Sequence, residues 1–97
     1  MTYRISAIAE EDLGDIHDYI FRGSPRHATQ MLLRIEGIFV LLTDSPKAGT
    51  ERDELQPGVR SYPVGNYIIF YHLEDQYVVV DRVLHTSRDV DSIMSPN

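Results

Sequence analysis

Arg60, Arg82 and His85, with Glu54 upstream, are residues of the types that cleave a phosphodiester. Attack of a ribose 2′-hydroxyl on phosphate needs a base, an acid and cations that hold the charge developing in the transition state. Glu54 would be the base, His85 the acid and the two arginines the cations. Spacing opposes this arrangement. Side chains alternate along a strand, so Arg82 falls with Val80 and Leu84 on one face and His85 falls with Val83 on the other. Placing both in one cleft requires a bulge.

Composition narrows the chemistry further. The chain has no cysteine, which removes disulfides, thiolate metal sites and cysteine nucleophiles together. His17, His27, His72 and His85 show none of the close pairings typical of zinc sites, so neither a metal nor a cofactor is expected. The net charge is −6, from 15 acidic and nine basic residues, and Lys47 is the single lysine. Gripping nucleic acid unaided takes basic residues that displace counterions from phosphates. Free RNA or DNA is therefore not the expected main partner, although an acidic average is compatible with a local basic patch.

The elements that position these residues can be read from periodicity. At 97 residues the chain has room for one core, so a single domain over 1–97 is expected. The 42% hydrophobic and 25% charged content suits a globular chain rather than a disordered one. No apolar run reaches the ~18 residues that a membrane span needs. Acidic residues interrupt the N-terminus before a signal-peptide core develops, so the cytoplasm is the expected location.

Tyr3 to Ile8 reads as a first strand. The period then becomes helical, with Leu13, Ile16 and Ile20 behind Glu10, Glu11 and Asp12, and a helix is expected over 10–22. Gly23-Ser24-Pro25 is a stop followed by an N-cap and a first-turn proline. In the second helix Ala28, Met31, Leu32, Ile35, Ile38, Phe39 and Leu42 make one broad apolar stripe that ends near Thr43. Leu33 and Val40 lie off it, either as extra packing in the helix hairpin or as an exposed contact patch.

Residues 44–57 carry two prolines and four acids and read as a loop. Strands follow at Val59–Val64, Tyr67–His72 and Tyr77–Leu84, with Leu73 to Gln76 as a hairpin turn. The tail from Ser87 has room for a short helical turn. The order is β-α-α-β-β-β, an α+β domain with a helix hairpin on one face of a small, mainly antiparallel sheet.

The segment from Arg52 to Asp89, RDELQPGVRSYPVGNYIIFYHLEDQYVVVDRVLHTSRD, resembles the ParE branch of the ParE/RelE toxin superfamily. The likeness lies in a Gly/Arg-Ser-Pro turn, here within Gly58 to Pro63, leading to Asn66-Tyr67, an aromatic hairpin, and the closing Arg82-Val-Leu-His85-x-x-Arg88-Asp89. Ala9-x-x-Asp12-Leu13, Ile16, Tyr19 and Pro46-x-x-Gly49 extend it through the first half. The resemblance implies the toxin of a type II toxin–antitoxin pair, without a catalytic centre, whose target is DNA gyrase. It also implies a ParD-like antitoxin that wraps the toxin in a hetero-oligomer and meets operator DNA on the toxin's behalf. A ribosome-dependent mRNA endonuclease of RelE type and a non-toxic co-repressor are the alternatives.

Candidate contacts for target or antitoxin are Arg60, Tyr67, Tyr71, Arg82, His85, Arg88, Leu33 and Val40. Each also has a structural role available. Arg60 can fork to Asp81 or Glu54, His85 can hydrogen-bond where the last strand meets the tail, and Arg88-Asp89 can pair locally or cap the tail helix. The tyrosines suit half-buried sheet positions. Since Tyr67, Ile69 and Tyr71 share a face opposite Ile68 and Phe70, one of two apolar faces is expected to remain for an antitoxin segment. The acidic first helix is a solvated face or a dock for a basic stretch.

Overall fold

The computed structural model describes residues 1–94. β1, Thr2–Ile5, stops at Ser6. The Ser6 Oγ accepts from the Ala9 N–H at 3.0 Å and donates to the Asp81 carbonyl at 3.0 Å, so it caps a helix and ties that helix to a distant strand. Consequently α1 runs Ala7–Phe21. The strand expected to reach Ile8 is three residues shorter, because an N-cap serine outcompetes the weak alternation of Ala7 and Ile8.

The helix hairpin follows the expected punctuation. Ser24 caps α2, Pro25–Asp44, with its Oγ accepting from the His27 N–H at 3.2 Å, and Pro25 occupies the first turn. The buried side of α2 is Ala28, Ile35, Phe39 and Leu42, flanked by Met31, Leu32 and Ile38.

Four further strands complete the sheet: β2 at Thr50–Glu51, β3 at Arg60–Val64, β4 at Tyr67–Glu74 and β5 at Tyr77–His85. β2 falls in the segment read as loop, since two residues are too short to show a period. The strand order is β1-β5-β4-β3-β2, antiparallel except for the parallel β1–β5 pair. Gly65, with φ at +59°, makes the tight β3–β4 turn. A final helix, α3, spans Val90–Met94. The α+β class and the helix pair on a mainly antiparallel sheet are as the sequence predicts.

Both sheet faces are covered by the chain itself. Against the helices lie Tyr67, Ile69, Tyr71, Val78, Val80 and Val83, meeting Ile16, Ile35, Phe39 and Leu42. On the opposite face Phe70 and Leu84 pack with Leu55, Val59 and Met94, and Ile68, Val90 and Ile93 join them. This second cluster corrects the expectation of an apolar face left open for an antitoxin: the 52–59 loop and α3 close it. Arg52 helps hold the loop down, its guanidinium 5.7 Å from the Phe70 ring centre and 3.3 Å from Ser61 Oγ.

One irregularity rearranges the chemistry. β4 pairs Phe70 with Arg82 but Tyr71 with Val80, so Asp81 is an extra residue bulged out of β5. Val80 and Val83 therefore share the helix-facing side, which strict alternation would forbid. Arg82 and Leu84 keep to the other side and His85 stays opposite Tyr67.

Candidate functional site

A cleft of about 340 Å³ opens between α1 and the end of β5. Asp12, Asp15, Ile16 and Tyr19 come from α1, Tyr67 from β4, Val83, Leu84 and His85 from β5, and Ser87 and Arg88 from the segment beyond. β1 ends opposite Val80, so the edge of β5 away from β4 has no strand beside its last part, and α1 fills the space.

Asp12 makes that junction. It sits on the buried side of α1 with Ala9 and Ile16, where an unpaired carboxylate would be costly. Its Oδ2 accepts from Arg82 Nε at 2.9 Å and from the Val83 N–H at 3.0 Å, and its Oδ1 accepts from Arg82 Nη2 at 3.0 Å. One carboxylate thus satisfies the open strand edge and forks the guanidinium in the two-point geometry that arginine favours. The bonds to Asp12 raise the Arg82 pKa further. Arg82 is consequently tied within the fold, which removes it as a free contact.

His85 lies edge-on to Tyr67, with ring centres 5.3 Å apart at 89°. Its Nδ1 accepts from the Ser87 N–H at 3.0 Å, and Ser87 Oγ is 2.8 Å away. This engages the Nδ1 lone pair and leaves the neutral ring's proton on Nε2. Tyr67 forms the floor of the cleft, and burial together with nearby Tyr19 raises its hydroxyl pKa. Tyr19, 73% exposed, and exposed Arg88 stand at the mouth. Asp89 beside it caps α3, accepting from Ser92 Oγ at 2.8 Å and from the Ser92 N–H at 3.3 Å, which holds its carboxyl below the usual range.

The other sequence-predicted residues lie away from the cleft. Arg60 donates to the carbonyls of Gly49 at 2.8 Å and Lys47 at 3.3 Å, and to Glu51 at 3.2 Å. The expected partners are occupied elsewhere: Asp81 pairs with His72 and Glu54 with Arg52. The Arg52 guanidinium also holds the Glu54 carboxyl below its ordinary range, weakening it as a base. Tyr71 is fully buried. Its hydroxyl donates to the Pro46 carbonyl at 2.8 Å and accepts from the Gly49 N–H at 2.9 Å, so it is a core strut and not a partner contact. Leu33 and Val40 stand out from α2 at 61% and 51% exposure, which overturns their reading as hairpin packing.

Asp12, Asp15, Tyr19 and Ser87 were absent from the expected set. Asp12 had a legible signal: an acid three residues after Ala9 and four before Ile16 is on the apolar side of an α-helix and demands a partner. For phosphate chemistry the arrangement is poor, with Arg60 and Arg82 both tied internally and Glu54 outside the cleft. Among the described residues no group of three or more His, Asp or Glu side chains is placed to hold a metal. What the cleft offers is an aromatic wall, an acid at Asp15 and, at Arg88, an arginine with no ion pair among the described residues, features suited to recognising polypeptide.

Known proteins agree with this fold. The family model described as the ParE toxin of type II toxin–antitoxin systems, parDE, matches residues 3–90. Toxin ParE3 of Caulobacter vibrioides is 34% identical over 76 residues, which cover 73% of this chain and 75% of that protein. Toxin ParE1 of Mycobacterium tuberculosis is 31% identical over 91 residues, covering 92% and 93%. In the solved structures, a chain of the chromosomal ParDE TA system from P. aeruginosa superposes with a TM-score of 0.75 at 20% identity, over 88% of this chain and 95% of that one. With nearly the whole fold inside the family model and relatives above 30% identity across most of their length, the chain belongs to the ParE toxin family of type II toxin–antitoxin systems.

Proposed function

We propose that this chain acts by protein–protein contact, inhibiting DNA gyrase, and that a cognate ParD-like antitoxin neutralises it in a hetero-oligomer. DNA is met through the antitoxin, and no catalytic centre is required. The observation that carries this reading is the capture of the would-be catalytic cations: Arg82 is forked onto Asp12 and Arg60 onto backbone carbonyls, so the two arginines that the sequence offered to phosphate do not converge on His85. Contact with target or antitoxin is assigned to Arg88 and His85 at the cleft. No described helix is long and apolar enough to cross a membrane.

The test is a pair of assays on one preparation. Gyrase supercoiling should fall with added protein and recover when a ParD-like antitoxin is supplied, while translated mRNA stays intact on ribosomes. Codon-specific mRNA cleavage without a gyrase effect would replace this reading with the endonuclease one. If neither activity is present and operator binding by the antitoxin still depends on the chain, the co-repressor reading takes its place.

A further inference from the structure

The long helix α2 carries two organised faces. At 100° per residue its buried residues, Ala28, Ile35, Phe39 and Leu42, lie along one side. Arg26, Gln30, Leu33, Gly37, Val40 and Asp44 fall on the diametrically opposite side, within a sector roughly 80° wide, and all of them are exposed. Their spacing alternates four residues and three, the seam pattern of two helices packed in a left-handed coiled coil.

A solvated helix face is ordinarily polar throughout, whereas this one has a leucine, a glycine and a valine at its middle. Gly37 carries the most information. Glycine destabilises a helix interior relative to alanine, and a Cβ at this position would meet nothing within 4 Å. Packing inside the chain therefore gives no reason for the missing side chain. On a seam, a glycine leaves a notch into which a side chain from a facing helix fits.

We propose that this face is a self-association surface on which a second copy of the chain lays its own α2 antiparallel, about a twofold axis level with Ile35. Residues equidistant from that level then face one another. Leu33 enters the notch at the partner's Gly37, Gln30 lies beside the partner's Val40, and Arg26 meets the partner's Asp44. Each contact occurs twice, as a closed twofold pair requires. Arg26 and Asp44 form no ion pair within the described residues, so both charges are free for the partner. A parallel pairing would instead stack arginine on arginine, aspartate on aspartate and glycine on glycine, which repels at both ends and leaves a gap between.

Self-complementarity selects a second copy over a foreign helix. The stripe supplies both a protrusion and its notch, and both signs of charge at matched distances, whereas docking another protein imposes no such symmetry. A single pair of helices of this length lies at the small end of specific interfaces, about 1,200 Å² or below. The dimer is thus weak and concentration-dependent, and it does not rest on the proposed target.

Sedimentation equilibrium on the purified, antitoxin-free chain across the micromolar range tests this. The chain should pass from monomer to dimer, and Leu33→Glu should remain monomeric with an unchanged circular-dichroism spectrum. Arg26→Asp and Asp44→Arg should each weaken the dimer about fivefold or more, and the double reversal should restore it. That recovery is specific to the antiparallel register. A chain monomeric throughout would overturn the proposal, as would a dimer that Leu33→Glu leaves intact or a double reversal that recovers nothing. Loss of antitoxin binding in Leu33→Glu, with the parent chain monomeric, would give the seam to the antitoxin instead.

Discussion

Asp12 and Arg82, 70 positions apart in sequence, are joined by two hydrogen bonds of 2.9 and 3.0 Å, and the same carboxylate receives the Val83 N–H. The helix that covers the sheet is thereby fastened to the strand edge that β1 leaves open. Removing the carboxylate strands a guanidinium and a buried backbone N–H together. Asp12→Ala should therefore cost about 2–4 kcal/mol, measured by urea denaturation, and Asp12→Asn should cost less because its carbonyl still accepts. A loss below about 1 kcal/mol would mean that water replaces the carboxylate at that edge.

Tyr71 and Gly49 make a second junction of the same kind. The hydroxyl bonds Gly49 N–H and the Pro46 carbonyl, fixing the segment after α2 against the sheet. Tyr71→Phe should destabilise by about 1–3 kcal/mol, since the Gly49 N–H is left buried without an acceptor. Gly49→Ala is expected to be at least as harmful: its Cβ would lie 2.5 Å from Tyr71 Oη and 2.9 Å from the Ser61 carbonyl. Thermal melts of the two variants check both statements, and an alanine variant as stable as the parent would refute the second.

The bulged residue Asp81 has a pH-dependent neighbour. His72 Nδ1 is 2.9 Å from both Asp81 oxygens, and its Nε2 is 3.1 Å from Glu74. Burial alone would lower the His72 pKa, but the bonds to the two carboxylates outweigh it and hold the imidazolium above its ordinary 6.5. For Asp81 burial outweighs the pull of His72, so its carboxyl is also raised. A group with a raised folded pKa stabilises below its unfolded value and loses that contribution as pH climbs through the folded one. For His72 the loss begins above about 6.5; for Asp81 it falls in the acidic range. Melting temperature should therefore drop as pH rises above about 6.5, and His72→Gln should flatten that part of the profile. An identical slope in the variant would place the titration elsewhere.

Cell growth separates the roles of His85 and Arg88. His85→Gln should leave most growth inhibition intact, because a contact surface does not depend on proton transfer. Arg88→Glu should relieve it and lower gyrase affinity about tenfold or more, since a like charge placed at an interface costs more than lost packing. Both positions lie outside the two buried clusters, so normal accumulation of soluble protein is the control. Complete loss of toxicity in folded His85→Gln would favour the endonuclease.

Local chemistry made most of the fold readable from sequence. Ser24-Pro25 starts α2, the stripe from Ala28 to Leu42 names its buried side, and the strong alternation from Tyr67 to Leu84 marks the hairpin that centres the sheet. The errors lie where local signals are short or absent. Ser6 ended β1 early by capping α1, and β2 is too brief to carry a period. The 52–59 loop and α3 closed the second sheet face through contacts between segments far apart in sequence.

The candidate site divides in the same way. Residue types and order by themselves determined the toxin family, the α+β class and the absence of thiol chemistry, because those properties are written position by position. Which residues are available for contact was decided by tertiary structure. Arg60, Arg82 and Tyr71 look like functional groups in one dimension, but the fold supplies carbonyls, Asp12 and Gly49 that bind them. A bulge at Asp81 shifted Val80 onto the face of Val83, and α1 brought Tyr19 and Asp15 beside His85 and Arg88. Pairing across such separations is set by packing and strand register, which no local pattern encodes.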